Sequence, residues 1–254
     1  DYNRAITCYI CGTEFPDEHA NTRRAKSKVR DHDHITGVYR GAAHSQCNLQ
    51  LRTTYKIPVF IHNFRGYDSH LIVPACTHFK GMVMQVIGQG LEKYMSLTWD
   101  TTIVFKDSLQ FLSGTLEALV ACLKKSGKDK FKVLNEAFAA TTDNEGMDML
   151  LRKGVYPYDY MNHIDRFNDR KIPPIEEFFN RLCNKPCSDA DHKYADDVWK
   201  KFNCQTMRDY HDLYLKTDVL LLADVFESFR TATLSSLGLD PAYYVSGPQL
   251  SWDC

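Results

Sequence analysis

The sequence predicts an α/β chain in two parts, a small metal-held module followed by a larger domain in which a mixed sheet precedes a set of helices. Three observations carry this. Residues 1 to about 52 are dense in Cys, His, Asp and basic residues and lack long apolar periodicity, which suits a module held by a metal in place of a core. From Lys56 to Phe105 short β-branched apolar runs alternate with polar or glycine-containing turns, the pattern of strands. Beyond Thr115 apolar residues recur at three- and four-residue spacing, the pattern of helices.

Taken in order, Ile57 to His62 reads as a buried strand after a basic turn. Met82 to Ile87 and Lys93 to Trp99 read as strands around Gly88-Gln89-Gly90, and Thr101 to Phe105 continues the sheet. Thr115 to Lys124 reads as a helix, and Pro173-Pro174 as a loop. Ser188 caps a helix running to Phe202, with Asp189 and Asp191 in the first turn, where the helix dipole favours acidic groups. The longest helix runs from Tyr210 to Leu237 and stops at Gly238, a residue suited to the left-handed position after a helix. The expected segments are 1–53, 54–238 and 239–254, the last a connection into further sequence. With no initiator Met, the chain reads as a fragment.

Composition narrows the partners. The 254 residues are 44% apolar and 25% charged, ordinary for a globular protein. The longest apolar run, Val219 to Ala223, is flanked by Asp218 and Asp224 and falls far short of the roughly 20 residues that span a bilayer, so no membrane partner is expected. The polar start lacks the apolar stretch of a signal peptide. A net charge of -1 means that any nucleic-acid contact must use local patches; one candidate is Arg23, Arg24, Lys26, Lys28 and Arg30. The cysteines are odd in number and unevenly spaced, which argues against a disulfide framework and for a reducing, intracellular setting.

Cys8 and Cys11 form one close pair and His44 and Cys47 a second, a ligand set for tetrahedral structural zinc. Alternatively, the cysteines are merely buried and His44 lies on the surface. Between the pairs stands Arg30-Asp31-His32-Asp33-His34, and Asn48 follows the second pair. Asp and Asn oxygens suit a hard divalent ion, and a neutral imidazole can deprotonate water. The same run also reads as a plain polar hairpin.

With its flanks, Cys8 to Asn48 resembles phage endonuclease VII of the His-Me finger (HNH) superfamily, in which a zinc ribbon supports a β-hairpin and helix, the ββα-metal arrangement. The resemblance implies that Asp31 and Asn48 hold a catalytic ion, that His32 is the general base, that His34 assists, and that Cys8, Cys11, His44 and Cys47 hold zinc. The family usually has four cysteines, and His44 stands in one of those places. A DNA-docking role without cleavage stays open, since a zinc module with a basic loop grips phosphates without catalysis.

Farther on, Asn63-Phe64-Arg65-Gly66-Tyr67-Asp68 follows a strand end, and Tyr214 and Asp218 lie four residues apart on one helix face. Alternatively, Asp68 is a helix cap and Asp218 a surface residue of an amphipathic helix. Together they resemble the second and third motifs of the DEDDy 3′→5′ exonuclease in protein-primed family B DNA polymerases. Ser108-Leu109-x-x-Leu112 resembles that family's single-strand-binding motif, and Lys153-x-x-Tyr156, followed by Tyr158, the motif presenting a catalytic lysine. The resemblance runs to Asp240-Pro-Ala-Tyr-Tyr244 and is closest to polymerases of Polinton-like elements, linear plasmids and related viruses. It implies an RNase H-like domain in which Asp68 and Asp218 hold Mg²⁺ or Mn²⁺, Tyr214 orients water and Lys153 stabilises the scissile phosphate. Asn63, Phe64, Ser108, Leu109 and Tyr158 would contact the strand, the aromatic rings by stacking on bases.

The family's first motif, Asp-x-Glu, does not precede Asn63, and Asp143-Asn-Glu145 stands on the wrong side. That motif is therefore expected upstream of Asp1, and the polymerase carboxylates beyond Cys254. Three functions follow: a polymerase fragment contributing 3′→5′ proofreading in DNA replication, acting on a single-stranded 3′ end beside the rest of the polymerase chain; an endonuclease of branched or duplex DNA; or a non-catalytic zinc-dependent DNA-binding module. The setting implied is a virus-like or mobile element, with the nucleus or a host-cell replication site as location.

Overall fold

The computed structural model describes residues 2–16, 27–33, 37–51, 56–79, 81–90, 92–182 and 184–254, residue 50 by its backbone alone. The chain divides into two compact units, Asp1–Lys56 and Ile57–Cys254.

In the first unit, β1 (Lys28–His32) and β2 (Tyr39–His44) form an antiparallel hairpin, and α1 (Ser45–Gln50) follows directly. The register sets Asp31 opposite Gly41, with an irregularity between Asp31 and His32. Cys8 to Thr13 is a tight turn closed by Cys8 N–H to Thr13 O and Gly12 N–H to Cys8 O, both 2.8 Å. Gly12 takes φ +71°, which a side chain would resist. Among the described residues the buried apolar groups of this unit are Cys8, Ala42 and Ala43, too little area for a self-sufficient core. Of the basic run, Arg23, Arg24 and Lys26 lie outside the described residues. Lys28 and Arg30 both sit 4.8 Å from the Tyr2 ring centre, and Lys28 Nζ donates to Ala5 O at 2.7 Å, so these two cations serve the packing of the module.

The second unit contains β3 (Ile57–Ile61), α2 (Ser69–Cys76), β4 (Met84–Gly88), β5 (Tyr94–Trp99) and β6 (Ile103–Asp107), then α3 (Leu116–Lys125), α4 (Lys132–Phe138), α5 (Asn144–Leu150), α6 (Asp189–Lys201), α7 (Met207–Leu237) and α8 (Gly247–Asp253), linked by loops and short 3-10 turns. The sheet is mixed, in the order β3-β6-β5-β4: β3 runs parallel to β6 and the other pairs are antiparallel. The expected strands and helices appear within a few residues of their predicted bounds. One expectation is corrected. Ile57 to His62 does not form a buried strand: among the described residues β3 has one neighbour, β6, at the edge of the sheet, with Ile57 44% exposed.

Local chemistry explains the helix ends. Thr115 and Ser188 accept N–H bonds from Ala118 and Asp191 as caps of α3 and α6. Helix α7 starts earlier than its apolar periodicity suggests, because Thr206 and Asp209 close a reciprocal capping box. It stops at Gly238, φ +70°. Its apolar residues Leu221 and Val225 pack with Leu116, Val120, Phe131, Leu134 and Leu150 of the surrounding helices. Phe226 meets Phe60 of β3 at 3.9 Å between ring centres, which joins helix to sheet. Residues 239–254, expected as a separate connection, belong to this unit: buried Lys106 donates to Ala242 O and Tyr244 O at 2.5 and 2.8 Å, and Arg230 pairs with Asp240 at 2.7 Å. Among the described residues no helix is long and apolar enough to cross a membrane.

Asp224, 2% exposed in the middle of α7, accepts the N–H groups of Val133 at 2.8 Å and Leu134 at 2.9 Å. It therefore caps α4 from a distant part of the chain. Removing it leaves two buried donors unpaired, so Asp224→Ala is expected to lower stability by about 2–3 kcal/mol. Urea unfolding measures this, and a loss below about 0.5 kcal/mol would contradict the assignment.

Candidate functional site

Cys8, Cys11, His44 and Cys47 converge, with all four ligand atoms within 4.8 Å of one another. His44 Nδ1 lies 3.5 Å from Cys11 Sγ and 3.9 Å from Cys47 Sγ. A tetrahedron with Zn–S near 2.3 Å and Zn–N near 2.0 Å has edges of about 3.5–3.8 Å, so the spacing fits zinc. The surroundings fit as well. His44 Nε2 is 3.3 Å from Glu14 O, a contact that fixes the ring with Nδ1 toward the sulfurs, and His44 N–H donates to Cys8 Sγ at 3.3 Å. The Thr13 hydroxyl and N–H hold the Cys11 thiol down to about 6, whereas burial and the neighbouring sulfurs of Cys11 and Cys8 push Cys47 up to about 11. Cys47, held protonated by its neighbours, needs a cation before it can ionise beside them. The cluster could thus hold a metal such as zinc.

On the adjoining hairpin, Asp31 is 1% exposed. Arg40 donates to its Oδ1 at 2.9 Å and the Tyr9 hydroxyl to its Oδ2. Burial opposes ionisation of Asp31, but the Arg40 and Tyr9 hydrogen bonds outweigh it and hold the carboxyl below the usual carboxylate value. His32 is exposed at the strand end, Asn48 is half-buried on α1, and α1 packs against both strands. His34 lies outside the described residues. Neither Tyr9 nor Arg40 was singled out from the sequence; the signal for Tyr9 was its place inside the CxxC turn.

In the second unit, residues 153–158 and the first half of α7 meet. The Tyr214 and Tyr158 hydroxyls hydrogen-bond, and Tyr214 stacks on Tyr156 with ring centres 4.6 Å apart. Gly154 permits this, since a Cβ there would stand 2.6 Å from Tyr214 Cδ2. Burial raises the Asp218 carboxyl above its usual value against the lowering effects of Tyr214, Lys153 and the Gly154 N–H. Its Oδ1 is buried and has no hydrogen-bond partner among the described residues. Burial and then Asp218 push the Tyr214 phenol up, so it stays protonated. Tyr214, Asp218, Lys153 and Tyr158 are thus brought together. The cavity beside them is only about 20 Å³, far below the several hundred Å³ of a metabolite pocket.

Asp68 stands at the N-cap position of α2, where its side chain makes no cap bond. Asn63 adopts φ +62° and is exposed. The loop between them is pinned by Arg65, whose N–H donates to Asp107 Oδ2 at 3.3 Å and whose guanidinium donates to Gln89 at 2.9 Å. Asp107 is fully buried, a strand-end carboxylate whose pinning role the sequence reading missed. Two expectations are corrected. Phe64 is 0% exposed with its ring over Phe105 at 6.0 Å, so it cannot stack on a base. Ser108 is also fully buried, its hydroxyl 3.0 Å from His62 Nδ1, and does not face a strand; Leu109 beside it is half-buried. Within these motif segments the exposed aromatic rings are those of Tyr67, at 67%, and Tyr158, at 53%. Asp143 and Glu145 both pair with Lys201, at 2.8 and 2.6 Å, and Asp143 caps α5, which accounts for that acidic pair without catalysis.

Comparisons with family models, with curated proteins and with solved structures find no match.

One zinc per chain is expected, and loss of it in His44→Ala and Cys47→Ser. Because Cys47 must ionise, uptake at pH 7 releases protons and apparent affinity rises by about tenfold per pH unit for each proton displaced. Chelator competition at pH 6, 7 and 8 measures this, and pH-independent binding would contradict it. For Asp218 the folded-state value is raised, so its cost is absent below the unfolded value and complete above the folded one. Asp218→Asn is therefore expected to raise Tm by about 2–4 °C at pH 8 and by nothing below about pH 4. Thermal scans with and without Mn²⁺ check this, since the ion should stabilise the original chain alone.

Proposed function

We propose that the chain is the 3′→5′ exonuclease region of a protein-primed type, family B DNA polymerase from a virus-like or mobile element, with RNase H-like architecture and an endonuclease VII-like module before it. The observation that carries this is the cluster of Tyr214, Asp218, Lys153 and Tyr158, in which a buried carboxylate oxygen lacks a partner beside a lysine and a protonated phenol. A carboxylate in that state is costly in a structure that does nothing with it.

Asp218, with Asp68 contributed from the start of α2, would hold Mg²⁺ or Mn²⁺, and the orphaned oxygen fits a hard cation. When bound, such ions supply a hydroxide nucleophile and charge stabilisation for the leaving oxygen. The chain's own residues do the rest. Tyr214 donates a hydrogen bond that orients water. Lys153 offsets charge on the scissile phosphate, and Tyr158 and Tyr67 supply exposed rings for unpaired bases of a single-stranded 3′ end. The substrate is therefore DNA, and the remaining partner is the rest of the polymerase chain, working in DNA replication at the nucleus or another intracellular replication site.

A second reading rests on the β1–β2–α1 order of the first unit, with Asp31 and His32 at the end of one strand and Asn48 on the helix. That order matches a ββα-metal endonuclease acting on branched or duplex DNA, and with Asp31 engaged by Arg40 it also accommodates a docking role.

The test is incubation of the chain with Mn²⁺ and 3′-end-protected or free single strands, beside a closed circular plasmid. Stepwise loss from free 3′ ends that falls by about 10³-fold in Asp218→Ala supports the exonuclease. Plasmid nicking lost in Asp31→Ala and kept in Asp218→Ala would replace it with the endonuclease.

A further inference from the structure

The chain links its metal cluster to the Asp31 carboxylate through one side chain. Tyr9 stands between Cys8 and Cys11, so its backbone belongs to the turn that the cluster closes. Its N–H donates to Ala42 O at 3.0 Å, which fastens that turn to β2. From there the ring passes over Gly41, where a Cβ would lie 2.6 Å from Tyr9 Cδ1, so a side chain at that position would block its path. Gly41 is the register partner of Asp31 across the hairpin. The phenol ends on Asp31 Oδ2, while Arg40, the residue before Gly41, holds Oδ1 at 2.9 Å. Every step from sulfur ligand to carboxylate is thus a bond or a direct contact within one small unit.

We propose that Tyr9 is a positioning residue that couples the four-ligand metal cluster to Asp31, so that a filled cluster fixes the carboxylate and an engaged carboxylate tightens the cluster. The coupling is reciprocal, because any contact that favours the filled cluster is itself favoured by filling. It rests on the zinc reading of the cluster, and only its use in cleavage rests on the endonuclease-type reading of Asp31. The phenol carries the link by geometry: without its hydroxyl, the ring still covers Gly41 but no longer reaches the carboxylate.

The experiment measures zinc affinity of the full chain by competition with a chromophoric chelator, for the original sequence, Tyr9→Phe, Asp31→Asn and the double variant. Each single variant is expected to weaken zinc binding about five- to tenfold, and the double variant no further than the weaker single one. Unchanged affinity in Tyr9→Phe, or effects that simply multiply in the double variant, would overturn the proposal. Tyr9→Phe retains the ring, and a circular dichroism spectrum matching the original confirms that the module is folded with zinc in excess. A second arm titrates Mn²⁺ by electron paramagnetic resonance on the zinc-loaded proteins. Asp31-dependent Mn²⁺ binding that weakens in Tyr9→Phe extends the coupling to the second ion. No Asp31-dependent Mn²⁺ binding, with the zinc cycle still non-additive, would remove the endonuclease reading and leave the coupling standing.

Discussion

Helix α7 must satisfy two opposed demands along one surface. Toward its C-terminal half it buries Leu221, Val225 and Phe226 among the helices and against β3, and Asp224 serves the same packing by closing the end of α4. One to two turns earlier the same helix presents Tyr214 and Asp218 to residues 153–158, where burial works against the carboxylate. Two acidic residues six positions apart therefore meet different fates. Asp224 is satisfied by backbone donors, and Asp218 keeps an oxygen that no group of the described protein satisfies. That difference separates a structural carboxylate from a functional candidate more sharply than burial alone.

The first unit solves another problem. With Cys8, Ala42 and Ala43 as its buried apolar groups among the described residues, a metal held by the ligand cluster would supply much of its folding free energy. A module of this kind would transmit the state of a bound metal readily, because there is little core to absorb a displacement, and Tyr9 joins the turn of the cluster to Asp31.

Much of this was legible in the sequence, and the exceptions have physical causes. The two ligand pairs, the strands from Ile57 to Asp107, the ends of α3 and α6 and the stop of α7 at Gly238 follow from spacing and from caps that act locally. The edge position of β3 was not legible, because an apolar run gives no sign of how many neighbours a strand will have. Phe64 and Ser108 carry the residue types of a strand-contacting surface, yet a left-handed Asn63 and the His62 contact turn them inward. Arg65–Asp107, Asp224 to α4 and Tyr9–Asp31 join residues far apart in the chain, and no local pattern announces them. Asp218 was legible as an anomaly, a charge set in an apolar run, while its partners Lys153 and Tyr158 were reached through motif order.

The central claim is that the Tyr214–Asp218–Lys153 cluster receives a DNA 3′ end and a divalent cation. Anomalous diffraction from crystals of the chain grown with Mn²⁺ and a short single strand tests it most directly. The account predicts an anomalous peak within coordination distance of Asp218 Oδ1 and a terminal nucleotide beside Tyr214 and Tyr158. A strand bound elsewhere, or manganese absent from Asp218 while zinc fills the cluster of the first unit, would contradict it.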